Sequence, residues 1–386
     1  MTNAFSKCIF AASFLRFTMY DELFYKIALS YQKGYGNALI KKLLQLSGTA
    51  SALFLDFHAV RKKLKTTRAM LSAPVLTPEI EKAVAKELHL AAKNNITYCF
   101  YTDDVYPKRL LRCNDAPYMF CYKGTHQFNN EKTIAIVGTR NATPYGKDMV
   151  RRVISDLSSH NISVISGLAV GIDTFAHEAA LDFHLHTIGV MGSGFGNIYP
   201  SSNKKLAKRM TDSGSTLLSE YLYYTLPDRQ NFPKRNRIIA GMADALLVVE
   251  TGKRGGSIIT ACIAHSYQRD VFAIPGSVFE PSHEGCHELI RQNLAALVTS
   301  GEDIIDMMGW NLDKPVQIQP QIFQNFNEDE ENVMTVMQNI KEPSIDELIA
   351  LCEPLTPSKI AAVLLGLELN GVIEALPGKR YRMIKR

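Results

Sequence analysis

Lys234, Arg235, Asn236 and Arg237 follow Asn231-Phe232-Pro233, and the chain then turns apolar at once in Ile238-Ile239-Ala240-Gly241. Guanidinium forks suit bidentate phosphate contacts, and Asn236 adds a donor and an acceptor for a sugar or a base. Cations at the start of a helix oppose its dipole unless an anion compensates them, so the pattern predicts an anionic ligand rather than a solvated helix start. Gly138-Thr139-Arg140-Asn141 precedes a second helix start, Thr143-Pro144-Tyr145-Gly146, and Lys253-Arg254-Gly255-Gly256-Ser257 precedes a third. Each is a strand-to-helix turn whose amides face outward, the arrangement that holds phosphate. Two further turns carry Gly167 with Gly171, and Gly192-Ser193-Gly194. Together the glycine turns predict a crevice floored by backbone.

Other chemistries lack their residues. There is no G-x-G-x-x-G fingerprint, no Walker loop and no nucleophile elbow with a convincing triad, and no cofactor is expected. His283-Glu284-Gly285-Cys286-His287 has the letters of a zinc-protease motif. However, Pro281-Ser282 precedes it and Gly285 interrupts it, which predicts a loop entering a helix at about His287, without a third ligand and without metal. His177 is expected to pack or bond locally.

These residues need a scaffold. Short apolar runs at Ile134–Gly138, Ile162–Ser166, Thr187–Met191, Thr216–Glu220, Ala245–Glu250 and Asp270–Gly276 alternate with helical patterns. That alternation predicts an open doubly wound α/β domain with a parallel sheet, its ligands at the carboxyl ends of the strands. The domain is placed at 93–310. Residues 19–92 read as helical, with Lys33-Gly34-Tyr35-Gly36-Asn37 either a helix-hairpin-helix turn able to meet a phosphate backbone or a plain turn between helices. Residues 311–331 read as a linker, and 332–386 as three helices and a β-wing, a small winged helix. In that last part Ser344 and Glu347 form a capping box, and Ile360, Val363, Leu364 and Leu367 share one face.

The 386 residues are 46% hydrophobic and 21% charged, with 43 Lys+Arg against 38 Asp+Glu. This excludes disordered, collagen-like and strongly acidic classes, while the net charge of +5 permits an anionic partner. Seven scattered cysteines without a C-x-x-C pair suit a reducing cytoplasm. The apolar run from Cys8 to Leu15 is too short to span a bilayer. Residues 1–18 therefore read as an untidy extension, or as a start misplaced before Met19, of a cytoplasmic protein without membrane contact.

Taken in order, the motifs resemble the DNA-processing protein A family (DprA, also called Smf). The matching segments are Gly138-Thr139-Arg140, Ser166 to Asp173, Gly192 to Gly194 with Ile198-Tyr199-Pro200, Ser219-Glu220, Phe232 to Gly241, Gly256 to Ala261 and Val271 to Gly276, together spanning Glu131 to Trp310. The resemblance implies a Rossmann-like domain that binds single-stranded DNA in a basic pocket, forms homodimers and helps load the RecA recombinase during natural transformation, without covalent catalysis. Site residues expected on this basis are Gly138, Thr139, Arg140, Asn141, Gly167, Gly171, Gly192, Ser193, Gly194, Lys234, Arg235, Asn236, Arg237, Lys253, Gly256 and Ser257. His287 stands where the family usually has Asn, and Lys253-Arg254-Gly255 replaces a less basic turn. The winged helix, with Lys379, Arg380, Arg382, Lys385 and Arg386, is expected to bind either duplex DNA or a protein. The rival reading is an enzyme resembling nucleotide phosphoribohydrolases. It would use Ser257 or Glu250, although Lys253 to Thr260 lacks that family's proline and glutamate.

Overall fold

The structure, a computed structural model, describes residues 20–63, 72–313, 326–340, 342–369, 372–376 and 379–383. The extension over 1–18, the alternative start at Met19, most of the expected linker and the terminal Lys385-Arg386 lie outside the described residues. The chain divides into two compact units, Met1–Asn311 and Leu312–Arg386.

The first unit is built on a nine-stranded sheet. Its strands are β1 (Thr97–Phe100), β2 (Met119–Lys123), β3 (Lys132–Val137), β4 (Ile162–Ser166), β5 (Thr187–Met191), β6 (Thr216–Ser219), β7 (Ala245–Val248), β8 (Asp270–Ala273) and β9 (Ala296–Leu297). The spatial order is β1-β2-β6-β5-β4-β3-β7-β8-β9. From β6 to β9 every pairing is parallel, and β1 and β2 add antiparallel on the β6 edge. The six expected strands are β3 to β8. Their runs are almost unbroken in apolar character because helices cover both faces. Side chains alternate between the layers: Ala135, Val137, Leu246 and Val248 join the core under helices Asn231–Met242 and Gly256–Ser266. Ile134, Ile136, Ala245 and Leu247 join the core under Pro144–Leu157, Ile172–Asp182 and Gly301–Met307.

Strand β3 lies mid-sheet. The chain winds outward from it through β4, β5 and β6, then returns to β7 on its other side. The connections leaving β3 and β7 therefore diverge, which opens a crevice at their carboxyl ends.

The sequence reading divides this unit at residue 92, but in the structure the preceding helices share a core with the sheet. Phe24, Ile27, Leu43, Leu53 and Val84 pack with Phe100, Tyr118 and Met119. The Gly34–Gly36 turn ends in Asn37, whose side-chain amide donates to Glu220 Oε1 (2.8 Å) and accepts from the Tyr118 backbone N–H (3.1 Å). The turn outlined as a helix-hairpin-helix is thus docked on its own chain at Asn37.

In the second unit, helices Glu328–Asn339, Ile345–Leu351 and Pro357–Leu369 precede a two-stranded ribbon, β10 (Ile373–Leu376) and β11 (Arg380–Met383). The first helix starts inside the stretch read as linker. Asn327 and Glu330 close a capping box there, and the acids Glu328 to Glu331 favour a helix N-terminus. The Ser344–Glu347 box forms as expected, and Ile360, Leu364 and Leu367 are buried with Val333 and Leu348. Arg382 bonds Glu374 across the ribbon.

Candidate nucleic-acid interface

A cavity of about 350 Å³ occupies the β3/β7 crevice. Gly138, Thr139 and Arg140 line it from the turn after β3, and Thr251, Gly252, Gly255, Gly256 and Ser257 from the turn after β7. The two turns are tied together by the Thr139 amide, which donates to the Glu250 carbonyl (2.7 Å). Thr143 caps helix Pro144–Leu157 by accepting from Gly146 N–H, with proline at the start of that helix. The buried Glu250 carboxylate accepts from Thr143 N–H (2.9 Å) and Thr143 Oγ1 (2.5 Å) and is not among the lining groups.

Helix Gly256–Ser266 opens on the cavity with no acidic residue in its first turn. Ser257 is 7% exposed, and its Oγ has no hydrogen-bond partner among the described residues. A buried hydroxyl without a partner costs about 1–3 kcal/mol, which a ligand oxygen would recover. On the rim, exposed Arg140 lies 5.2 Å from the centroid of Phe232, whose ring is 5.7 Å from that of Tyr199. Lys234 and Lys253, both exposed, stand next to lining residues. Asn141 is exposed beside Arg140.

Arg235 and Asn236 are among the residues that line the cavity, while Arg237 is not, and the guanidinium groups of both arginines are engaged by protein groups. The Arg235 side chain is 4% exposed and donates to the carbonyls of Gly167 and Val190, with Nε on Asn236 Oδ1 (3.2 Å). Burial lowers its pKa, and the charge of Asp173 opposes that effect. Asp173 accepts from Gly167 N–H (3.1 Å) and Ala169 N–H (3.3 Å); burial raises its pKa and Arg235 counters the rise. Arg237 pairs with Glu220 and donates to the Asp115 carbonyl (2.6 Å). The anions that offset this basic helix start are therefore protein carboxylates, and only Lys234 of its three cations is exposed.

The glycine turns also divide. The first lines the cavity, and the second contributes Ala169 and Asp173. Within the second turn a Cβ on Gly167 would meet the Arg235 guanidinium, and one on Gly171 (φ +82°) the Thr139 carbonyl. The third turn packs against protein groups and is not among the residues that line the cavity: Gly194 lies against the carbonyls of Leu222 and Tyr223, Gly192 lies under the Phe232 ring, and Ser193 Oγ donates to Asn197 O (2.6 Å). Helix Glu284–Arg291 begins three residues before His287, because Pro281–His283 form a 3₁₀ turn that leads straight into it. His283 Nε2 lies 3.8 Å from Glu250, and His287 Nε2 bonds the Gly276 carbonyl (3.1 Å). The two histidines address different partners. His177 is buried with Nδ1 on Thr187 Oγ1 (2.7 Å), and its pKa is pushed down to about 3 by burial and then by Arg235.

The architecture is that of a Rossmann-like domain with a crevice at its topological switch point, on a chain that also carries a winged helix. The family model described as DNA recombination-mediator protein A matches residues 97–309, and the DprA winged helix domain matches 327–379. The chain belongs to the DprA/Smf family. It is 42% identical over 203 residues to the DNA processing protein DprA of Streptococcus pneumoniae, covering 53% of this chain and 71% of that one. Against Protein Smf of Escherichia coli it is 34% identical, over 72% of this chain and 75% of that one. The X-ray structure of the S. pneumoniae protein superposes with a TM-score of 0.54 at 34% identity, covering 70% of this chain and 97% of that chain. A Helicobacter pylori DNA processing protein A, described for its single-stranded DNA binding mode, superposes at 0.51 with 25% identity, over 56% and 97%. Among the described residues no helix is long and apolar enough to cross a membrane.

Proposed function

We propose that this chain binds single-stranded DNA in the β3/β7 cavity and passes the strand to the RecA recombinase, acting by binding rather than by covalent catalysis. A backbone phosphate sits on the first-turn amides of helix Gly256–Ser266, with the Ser257 hydroxyl as a further donor and Arg140, Lys234 and Lys253 around it. Phe232 and Tyr199 supply π-faces for unpaired bases, which a duplex would not present. The observation that carries the reading is the buried Ser257 hydroxyl, without a partner among the described residues, at a helix N-terminus that opens on the cavity. The H. pylori relative supports the choice of ligand. Glu250, one of the two residues the hydrolytic reading names, is fully buried and engaged by Thr143.

Ser257→Ala tests this with its own control. Removing an unsatisfied hydroxyl leaves the free protein as stable as the parent or up to about 1 kcal/mol more stable. Losing a hydrogen bond to a charged phosphate weakens oligonucleotide binding about 10- to 100-fold. Unchanged affinity in filter binding would remove Ser257 from the site. The RecA step and a homodimeric state rest on family membership. They are checked by RecA filament assembly on single strands with and without the protein, and by its sedimentation mass.

A further inference from the structure

A second cavity, of about 660 Å³, lies beside the first on the same sheet edge, lined by Thr143, Tyr145, Gly276, Glu280, Ser282 and His283 among others. The two are separated by the segment Glu250-Thr251. Thr251 lines the first cavity, and the Glu250 carboxylate accepts from Thr143, which lines the second.

We infer that this second cavity takes a nucleobase of the same DNA strand, an inference that rests on the DNA-binding reading above. Three features point to a base. The Tyr145 ring is 41% exposed, held by its hydroxyl on the Pro275 carbonyl (2.6 Å) and by an edge contact with His283 (5.3 Å between ring centroids). A ring fixed in this way is a stacking platform. His283, a lining residue, is 4% exposed, and its buried Nδ1 has no hydrogen-bond partner among the described residues. Phe279, on the rim loop between Pro275 and Glu280, is 90% exposed, with Val278 beside it at 74%. An aromatic side chain held almost wholly in water has no packing role in the free protein.

The local charge selects the base over the phosphate. Glu280 lines the pocket and the buried Glu250 carboxylate is 3.8 Å from His283 Nε2, while among the described residues no lysine or arginine lines it. A phosphate would meet a negative field, whereas a base presents donors to Glu280 and a flat face to Tyr145 and Phe279. The cationic first cavity thus anchors the backbone and the second accepts a base further along.

The experiment compares fluorescence anisotropy of thymidine oligonucleotides of about four and about ten nucleotides, a range that matches one and more than one contact region. The parent binds the longer oligonucleotide more tightly. Phe279→Ala, which removes no buried contact, weakens the longer one roughly 5- to 100-fold, the worth of one base–aromatic stack, and leaves the shorter one and the melting temperature unchanged. Lys234→Ala weakens both. A Phe279→Ala protein that keeps the parent's length dependence, while Lys234→Ala loses affinity, overturns the second subsite alone. Loss of length dependence in Phe279→Ala with no effect of Lys234→Ala keeps the second subsite and overturns the first.

Discussion

Replacing Lys234 and Arg237 one at a time separates the surface proposed to meet DNA from the framework beneath it. The two residues share one helix, one charge and one motif, yet Lys234 is exposed while the Arg237–Glu220 side chains are only 13% and 15% exposed. Each phosphate contact on a single strand contributes about 0.7 to the slope of log affinity against log salt. Arg140, Lys234 and Lys253 together then give a slope of about −2, an approximately 20-fold loss between roughly 50 and roughly 200 mM salt. Lys234→Ala flattens the slope by about 0.7 and leaves stability within about 0.5 kcal/mol of the parent. Arg237→Ala strands Glu220, which also holds Asn37, and destabilises the fold by about 3 kcal/mol without changing the slope. The combination Arg237→Met with Glu220→Gln recovers most of that loss, because no buried charge is left unpaired. Salt titrations by filter binding, with urea unfolding alongside, read both quantities. If Arg237→Ala reduced the slope as Lys234→Ala does while remaining fully folded, the division of roles would be refuted.

Other outcomes follow from single contacts. His177 titrates near pH 3 when folded against about 6.5 when unfolded, so it contributes stability that is present above pH 6.5 and lost as pH falls. By pH 5 this loss reaches about 2 kcal/mol, and His177→Gln removes that part of the pH dependence in urea unfolding measured at pH 7 and pH 5. Gly171→Ala puts a Cβ at φ +82° against the Thr139 carbonyl and costs at least about 2 kcal/mol, seen as a lower midpoint in thermal unfolding. Thr143→Ala removes both the cap of helix Pro144–Leu157 and a donor to buried Glu250, and lowers stability by about 2 kcal/mol in the same assay.

The α/β framework is legible in the sequence because β3 to β8 are buried on both faces and so read as unbroken apolar runs. Strands β1, β2 and β9 escape that reading. The first two carry TYCF and MFCYK at a sheet edge and pair antiparallel, outside the strand–helix alternation, and β9 is two exposed residues long. The cavity's two principal turns were legible from their glycines and their helix starts. How its cations are used was not: Arg235 lines the cavity, yet its guanidinium and that of Arg237 are held by the distant partners Gly167, Val190, Glu220 and Asp115, which no local spacing reveals. Ser219-Glu220 was visible as a motif, but its pairing with Arg237 required the β6 edge to be placed. The third glycine turn packs elsewhere for the same reason, since glycine permits close approach by any backbone, here that of Leu222 and Tyr223.

The most direct test of the central claim is a crystal structure of the full chain with a short oligothymidylate. A phosphate within hydrogen-bonding distance of the Ser257 hydroxyl and amide, with Arg140 and Lys234 turned to the neighbouring phosphates, is the predicted result. A strand bound on another face, with the β3/β7 cavity filled only by solvent, would contradict it.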